Sequence, residues 1–178
     1  MKLKKFKFKK VKSTNNTAIR IIKETNYTSG MVVAETQIKG RGQYGRKWIS
    51  SKGNLFVSFF NELNKKNLSI KSITQINCLL VKKLLSKFTK KKILFKKPND
   101  LLVDKKKISG ILQEVILIKG KKFLITGIGI NIIKNPNIEN YPSTNLQQVI
   151  KKSISKLKVE NKLKQIFEQN LPKLYKFK

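Results

Sequence analysis

Short apolar runs of strand length recur along the chain, and they limit the folds that it can adopt. Each run combines leucine, β-branched or aromatic residues and is bounded by polar or glycine-containing turns. The runs span residues 31–34, 55–60, 93–95, 101–103, 108–118 and 123–133. Near the start, Phe6 and Phe8 alternate with lysines, which predicts a half-buried strand over residues 3–11. Only Lys119–Lys122 separates the last two runs, which indicates a hairpin.

Helices are predicted between and after these strands. Ser13–Asn16 offers an N-cap before an apolar segment that ends near Ile22. The longest helical pattern has apolar residues at spacings of three and four: Ile70, Ile73, Ile76, Leu80, Leu84 and Phe88. After a loop at residues 134–143, the stretch to about residue 171 indicates one or two amphipathic helices. The order predicts a single α/β or α+β domain over residues 1–178, a mixed β-sheet flanked by helices.

Lysine supplies nearly all of the positive charge in this chain, whose net charge is +32. Of the 41 basic residues, only Arg20, Arg41 and Arg46 are arginine, and the lysines are scattered over almost the whole length. Proteins that read bases rely on the bidentate arginine fork, so the pattern favours compositional drift over specific DNA binding. The alternative is a basic RNA-associated binding module, suggested by the lysines and phenylalanines of residues 5–10. An edge strand guarded by lysines has the same pattern.

Residue types that are missing or rare exclude several classes of chemistry. Histidine is absent, which excludes Ser-His triads, histidine proton shuttles and histidine-ligated zinc. The single cysteine, Cys78, lies among apolar residues and is predicted to be a core residue without a disulfide. No apolar stretch reaches the ~18 residues that a membrane span requires, and no signal-peptide pattern follows the basic start. We therefore expect a soluble, cytoplasmic protein without a membrane partner.

A glycine-rich segment at residues 37–48 carries the strongest functional signal. It contains three glycines, two of the three arginines and the only tryptophan: Gly40, Gly42, Gly45, Arg41, Arg46 and Trp48. Glycine lets the backbone approach a ligand, and its N–H groups can form an anion-binding nest. Arginine offers bidentate pairing to carboxylate or phosphate. The spacing matches neither a Walker loop nor a dinucleotide-binding fingerprint, and a flexible surface loop is the alternative interpretation.

Three later segments add weaker signals. The turn at Pro98–Asp100 holds one of nine acidic residues, a type of Mg²⁺ ligand, although such turns are common. Lys107 joins a turn to an apolar strand, where it can face a carboxylate or phosphate or simply lie on the surface. Gly127 and Gly129 permit close approach to a strand, and the amide of Asn131 can read an adenine edge. A bulged strand is the alternative for this last segment.

In order and spacing, these segments resemble the biotin protein ligases. The motifs are Ser13-Thr14-Asn15, Gln37 with Gly40-Arg41-Gly42 and Gly45-Arg46 before Trp48, Pro98-Asn99-Asp100, Lys107 with Gly110-Ile111-Leu112, and Gly127 to Asn131. The resemblance covers residues 10–135, with a weaker echo at Ser143–Leu146. It implies a biotin/lipoate ligase-like catalytic domain that forms biotinyl-5′-AMP from biotin and MgATP. The biotin then passes to a lysine of the biotin carboxyl carrier protein, typically that of acetyl-CoA carboxylase.

The resemblance also implies roles for individual residues. Lys107 and Arg41 are the implied catalytic residues, because they would stabilise charge on the carboxylate and the α-phosphate. The implied biotin-binding residues are Ser13, Thr14, Asn15, Gln37, Gly40, Arg41, Gly42, Gln43, Lys107 and Gly110. The implied ATP- and adenylate-binding residues are Arg46, Trp48, Lys96, Asn99, Asp100, Gly127, Gly129 and Asn131. Asp100 is also the implied ligand of Mg²⁺.

The chain departs from the family pattern at three points. Gln43 stands where the family often has arginine, so weaker retention of the adenylate is expected, and Lys97 replaces the usual tryptophan before Pro98. Longer members carry an N-terminal DNA-binding domain and a C-terminal β-barrel, whereas this chain resembles the catalytic core alone. A lipoate ligase or octanoyl transferase of the same superfamily, whose loop motif differs, and an inactive ligase stay as alternatives. The oligomeric state stays open, with a homodimer among the options.

Overall fold

A mixed seven-stranded sheet forms the centre of the chain. The computed structural model describes residues 2–63, 69–139 and 141–175. The strands are β1 (Lys5–Val11), β2 (Ser29–Gln37), β3 (Leu55–Glu62), β4 (Ile93–Lys96), β5 (Asp100–Val103), β6 (Lys106–Ile118) and β7 (Lys121–Ile130). Their order in the sheet is β1-β2-β3-β7-β6-β5-β4. The pair β1–β2 is parallel, and the other neighbouring strands are antiparallel. The predicted fold class is confirmed.

Helices lie where the apolar patterns predict them. They are α1 (Thr14–Glu24), α2 (Ile70–Leu85), α3 (Leu146–Ile150) and α4 (Lys156–Tyr175). The hydroxyl of Ser69 accepts a 3.1 Å hydrogen bond from the backbone N–H of Ser72 and so caps α2. One detail of the predicted stripe is wrong, because Ile70 is 55% exposed. It occupies the first position of α2, whereas the buried face begins at Ile73.

The sheet has a core on each face. On one face, α2 and α4 cover strand residues such as Phe59 and Ile128, and the rings of Phe59 and Phe167 stack with centroids 4.0 Å apart. Cys78 lies in this core, as predicted, and burial raises the pKa of its thiol to about 12. On the other face, α1 packs against a smaller cluster that includes Phe60. Because α1 covers only part of that face, the rest is free to form a site.

The lysine-rich strand β1 lies at one edge of the sheet. The ring of Phe6 packs against Tyr27 and Phe60, with centroids 5.2 and 6.2 Å apart, and Phe8 is half-buried. The lysines between them, Lys7 and Lys9, are exposed. The edge-strand interpretation is therefore confirmed, since rings that pack inward are not available to stack on bases. None of the helices in the described ranges has both the length and the apolar character needed to cross a bilayer.

Candidate active site

A cavity of about 850 Å³ lies on the α1 face of the sheet, at the N-terminus of α1. Its size falls in the range typical of sites for small ligands. Every residue predicted for the site lines this cavity except Gly40 and Asn131. The cavity therefore brings together segments that lie far apart in the sequence, from Ser13 to Gly129.

One end of the cavity is lined by neutral amide and hydroxyl groups. The side-chain oxygen of Gln37 accepts hydrogen bonds from the Thr14 N–H and hydroxyl at 2.8 and 3.1 Å. The Gln37 amide nitrogen donates to the Ser50 hydroxyl at 3.0 Å. Behind them, the Ser58 hydroxyl bonds to Thr14 at 2.8 Å and also lies within bonding distance of the Asn15 amide oxygen. These bonds fix the first turn of α1 against β2 and β3.

Ser58 was not predicted, although the sequence held a signal for it. It is the polar residue in the apolar run Leu55–Phe60, and it is fully buried. A buried hydroxyl in a central strand must be hydrogen-bonded, which points to polar partners on the facing element. Its partners are the first residues of α1, so Ser58 supports the polar end of the cavity.

Glu114 links this polar end to the glycine-rich loop. One carboxylate oxygen accepts from the Asn15 amide at 2.7 Å and pairs with the Arg41 guanidinium at 2.6 Å. Glu114 is one of nine acidic residues in a chain of net charge +32. Its carboxylate therefore fixes the guanidinium of Arg41 next to Asn15, although lysines are far more abundant in this chain than arginines.

The loop that carries the arginines is a short hairpin. The N–H of Gly42 donates to the Arg46 carbonyl at 2.6 Å, and the N–H of Trp48 donates to the Gly40 carbonyl at 2.9 Å. At its tip, Tyr44 and Gly45 adopt left-handed backbone conformations with φ of 55° and 73°. A side chain at Gly40 would collide with the carbonyl of Trp48, so this glycine closes the hairpin instead of lining the cavity.

The indole of Trp48 lies flat on two strand glycines. A methyl group at Gly129 would lie within 3.0 Å of three indole atoms, and one at Gly110 would also collide with the ring. A methyl group at Gly127 would collide with the Asn15 amide in the same way. The glycines were expected to permit close approach of another group, and in the structure the side chains of Trp48 and Asn15 approach them closely. The buried indole N–H of Trp48 has no hydrogen-bond partner within the described residues.

The other end of the cavity is cationic. The ammonium of Lys107 lies 2.9 Å from a carboxylate oxygen of Asp100 and 5.3 Å from the centroid of the Trp48 ring. Lys96 lies over the ring of Tyr141, at 4.6 Å from its centroid. Arg46 lines the same wall. Such a set of cations suits a carboxylate or the phosphates of a nucleotide.

These features agree with the comparisons to known proteins. A model of the biotin/lipoate A/B protein ligase family matches residues 7–131. The chain belongs to this family. Its relatives include the bifunctional ligase/repressor BirA of Escherichia coli, 32% identical over 124 residues, and biotin–protein ligase 2 of Arabidopsis thaliana, 32% identical over 126 residues. The matches cover 68% and 67% of this chain but only 38% and 36% of those relatives, so the chain corresponds to a part of their length.

The chain is also similar to solved structures of this family. The Aquifex aeolicus ligase in complex with biotin and ATP superposes with a TM-score of 0.80 at 34% identity, covering 97% of this chain and 72% of that one. A lipoate ligase of Thermoplasma acidophilum superposes with a TM-score of 0.64 at 12% identity, covering 97% of this chain and 84% of that one. The second likeness shows the shared fold alone.

Two residues that were predicted to bind ATP or the adenylate, Asn131 and Asn99, donate hydrogen bonds to backbone carbonyls of this biotin/lipoate ligase family member. Asn131 is buried, its amide nitrogen donates to the Thr144 carbonyl at 3.1 Å, and its side chain does not line the cavity. The reason is that β7 ends at Ile130, after which the chain turns toward α3. The amide of Asn99 donates to the Ile111 carbonyl at 2.8 Å and so fastens the turn before β5.

The two substituted family positions also lie at the cavity. Gln43 lines the wall beside the arginines, and its buried side-chain oxygen has no hydrogen-bond partner within the described residues. Lys97 is exposed and lines the same cavity, so the turn before Pro98 is not packed by an aromatic ring. Relative to the family pattern, one change removes a positive charge from the wall and the other adds one.

The predicted magnesium ligand, Asp100, lies at the cationic end of the cavity. Within the described ranges, no three acidic, cysteine or histidine side chains come together to cage a metal. One carboxylate oxygen of Asp100 accepts a hydrogen bond from Tyr141, and the other forms an ion pair with Lys107 but has no hydrogen-bond partner within the described residues. Mg²⁺ in nucleotide sites keeps several waters and takes only one or two protein carboxylates. Asp100 can serve as one such ligand if it exchanges a partner.

Proposed function

We propose that this chain is an ATP-dependent biotin–protein ligase, which forms biotinyl-5′-AMP and then transfers biotin to a lysine. The observation that carries the proposal is the polarity of the cavity at the N-terminus of α1. Its neutral end, at Thr14, Asn15 and Gln37, offers amide and hydroxyl groups to an uncharged polar ring. Its cationic end, at Arg46 and Lys107, suits a carboxylate tail and phosphates. Biotin has both an uncharged polar ring and a carboxylate tail, and ATP supplies the phosphates.

The first step brings two anions together, and the basic residues of the chain oppose their repulsion. A carboxylate oxygen of biotin attacks the α-phosphorus of ATP, and the bond to the pyrophosphate oxygen breaks. In this proposal, Lys107 and Arg41, which pair with Asp100 and Glu114 in the structure, stabilise the negative charge that builds on the α-phosphoryl group. Lys96 and Arg46, which also line the cavity, hold the departing pyrophosphate. Mg²⁺, when bound, supplies further positive charge to the phosphates.

The second step requires shielding and positioning more than acid–base chemistry. The uncharged amine of the acceptor lysine attacks the acyl carbon of the adenylate, and AMP leaves with the bonding electrons. The proton of the amine passes to solvent or to the departing phosphate. A chain without histidine can support this reaction, because AMP is already a good leaving group. The indole of Trp48 covers the wall where an adenylate would lie, which limits attack by water.

The proposed acceptor is a biotin carboxyl carrier protein, such as that of acetyl-CoA carboxylase. A net charge of +32 favours encounter with an acidic acceptor domain and makes the association rate sensitive to salt. Because the reaction consumes ATP, we place it in the cytoplasm. No observation on the cavity favours a nucleic-acid substrate.

The polar end of the cavity also favours biotin over lipoate. The ureido ring of biotin has N–H donors and a carbonyl acceptor, whereas the dithiolane ring of lipoate has neither. In the structure Gln37 bonds to Thr14 and Ser50, and Asn15 bonds to Glu114, so the proposal requires the ligand to replace some of these bonds, which biotin can do and lipoate cannot. Sites built to hydrogen-bond a substrate group reject analogues that lack it by several orders of magnitude.

We further propose that a free strand edge lets two copies associate as a homodimer. Strand β6 pairs with β5 only as far as Gly110, so within the described residues its segment 112–118 has β7 as its only strand neighbour. On this segment Leu117 is 67% exposed and Val115 is also exposed. Exposed edges of this kind pair readily with another strand. Light scattering coupled to size exclusion, with and without biotin and ATP, measures the mass directly, and a monomer under all conditions would contradict the dimer.

The first step is best tested by isotope exchange between pyrophosphate and ATP. The chain should exchange label into ATP only when biotin is present, and lipoate or octanoate at the same concentration should support less than ~1% of that rate. Exchange driven equally by lipoate would replace biotin as the substrate. If none of the three acids drives exchange in a folded sample, the proposed activity is wrong.

A further inference from the structure

The loop between β7 and α3 contributes one side chain to the cationic end of the cavity that the family resemblance does not assign. Tyr141 lines the cavity, and its hydroxyl donates a hydrogen bond to one carboxylate oxygen of Asp100. The other carboxylate oxygen holds the ammonium of Lys107 at 2.9 Å. A single carboxylate therefore joins Tyr141 to the lysine that we assign to the reaction.

The ring of Tyr141 supports two ammonium groups at once. The Lys96 nitrogen lies 4.6 Å from the ring centroid, and the Lys107 nitrogen lies 5.2 Å from it. Cations within about 6 Å of an aromatic face are attracted to it. Two like charges that share one ring, one of them also paired with Asp100, can stay close together, as a chain of phosphates requires.

The backbone around Tyr141 is fixed to the strand that carries Lys107. The N–H of Lys107 donates to the Pro142 carbonyl, and the N–H of Thr144 donates to the Lys107 carbonyl, both at 2.9 Å. Lys107 and Ser143 form an isolated parallel bridge through these bonds. The phenol and the ammonium thus belong to one rigid unit, although 35 residues of sequence separate the two bridged positions.

We propose that Tyr141 is a positioning residue for adenylation, acting through Asp100 to place Lys107 and, through its ring, to hold Lys96 and Lys107 beside the phosphates. This inference rests on the proposed function of the cavity. Without the phenol, Asp100 has one partner fewer, rotates more freely and pairs with Lys107 in more than one geometry. The ammonium is then less often where the reacting phosphoryl group needs it.

Three variants separate the two parts of the proposal. Tyr141→Phe removes the hydroxyl and keeps the ring, and it should lower kcat of biotin-dependent pyrophosphate exchange by about tenfold with little change in KM for ATP. Tyr141→Leu also removes the ring, and it should raise KM for ATP by a further ~5-fold. Tyr27→Phe is the matched control, because Tyr27 packs on Phe6 outside the cavity and should leave both constants unchanged.

A double-mutant cycle tests whether the phenol acts through Asp100. In an Asp100→Asn background, Tyr141→Phe should have less than a twofold further effect, because the carboxylate that it orients is gone. An equal effect in both backgrounds, or no kcat change in the single variant, would overturn the proposal. Circular dichroism melting should show that all variants remain folded, and Tyr141→Phe alone suffices if Tyr141→Leu does not fold.

ATP affinity, measured by calorimetry in the wild type, Tyr141→Phe, Tyr141→Leu and Tyr27→Phe, gives a readout that does not depend on turnover. Tyr141→Leu should bind ATP about 5-fold more weakly, whereas the other two variants should bind it as the wild type does, so equal affinities in all four proteins would contradict the part assigned to the ring. A set of proteins that shows this ATP-binding pattern but no biotin-dependent exchange in the wild type would refute the proposed function and leave the role of the Tyr141 ring intact. The two failures are therefore distinguishable.

Discussion

Replacing Lys107 by alanine gives the sharpest prediction about the cavity. The ammonium lies 2.9 Å from Asp100, its side chain is 21% exposed, and it faces the wall where the phosphates would bind. At an effective dielectric constant of about 20, two unit charges about 4 Å apart interact by about 4 kcal/mol. If that attraction is made mainly in the transition state, its loss lowers the rate by about a thousandfold.

The loss should fall on kcat more than on KM. The negative charge on the α-phosphoryl group increases during the reaction, so the interaction with Lys107 is stronger in the transition state than with bound ATP. The alanine variant also leaves the Asp100 carboxylate without its cation, which places an uncompensated negative charge beside the phosphates. Both effects act in the same direction.

The assay is single-turnover formation of biotinyl-5′-AMP with labelled ATP, in the Lys107→Ala and Lys106→Ala variants. Lys106 is the matched control, because it is the adjacent lysine, is exposed and does not line the cavity. We expect wild-type rates within a factor of ~2 for Lys106→Ala and a fall of about a thousandfold for Lys107→Ala. Full activity of a folded Lys107→Ala variant would refute the assignment of Lys107 to the reaction.

Three further predictions concern the packing of Trp48 on Gly129, residue 43 of the glycine-rich loop, and the stability of the fold in acid. Gly129→Ala should lower the free energy of unfolding by about 1–3 kcal/mol and weaken ATP binding, because the new methyl group displaces the Trp48 indole; urea unfolding and calorimetry check this, and unchanged values would contradict the packing account. Gln43→Arg adds a cation to the loop and should slow escape of the adenylate by about tenfold in a filter-binding assay, while an unchanged escape rate would show that residue 43 does not hold the adenylate. Burial acts to raise the pKa of Glu168, but hydrogen bonds from Lys164 and from the Leu3 N–H, with nearby positive charge, lower it overall. Since the folded pKa is the lower one, Glu168 contributes stability above its unfolded pKa of about 4.3 that is lost as the pH falls through the folded value. Glu168→Gln should therefore flatten the decline of stability with acid, as measured by urea unfolding between about pH 3 and 6, and a variant with the wild-type pH dependence would contradict it.

Local patterns were sufficient to predict most of the fold. The alternation in residues 3–11 and the glycine-containing turn at Lys119–Lys122 each follow from rules that act over a few residues. The error at Ile70 has a different origin. Periodicity shows that a helix has an apolar face, but the position at which that face meets the sheet depends on the packing of α2 against distant strands.

The site likewise contains some residues that local motifs predict and others that only the folded structure reveals. Residues carried by recognisable motifs, such as Arg41 and Lys107, do line one cavity. Glu114 and Tyr141 were missed because their importance lies only in what they touch: each carboxylate or phenol contact joins segments that the sequence keeps far apart. Asn131 shows the converse, since its amide type suits adenine, yet its position after the end of β7 gives it a structural partner, Thr144.

The central claim is that the cavity activates biotin for transfer to a protein lysine. The most direct test incubates the chain with biotin, MgATP and an apo carrier domain, and then detects biotin on the carrier with streptavidin. The account predicts label on the carrier lysine that depends on both biotin and ATP and that falls with Lys107→Ala. A folded chain that leaves the carrier unlabelled, or labels it without ATP, would contradict the account.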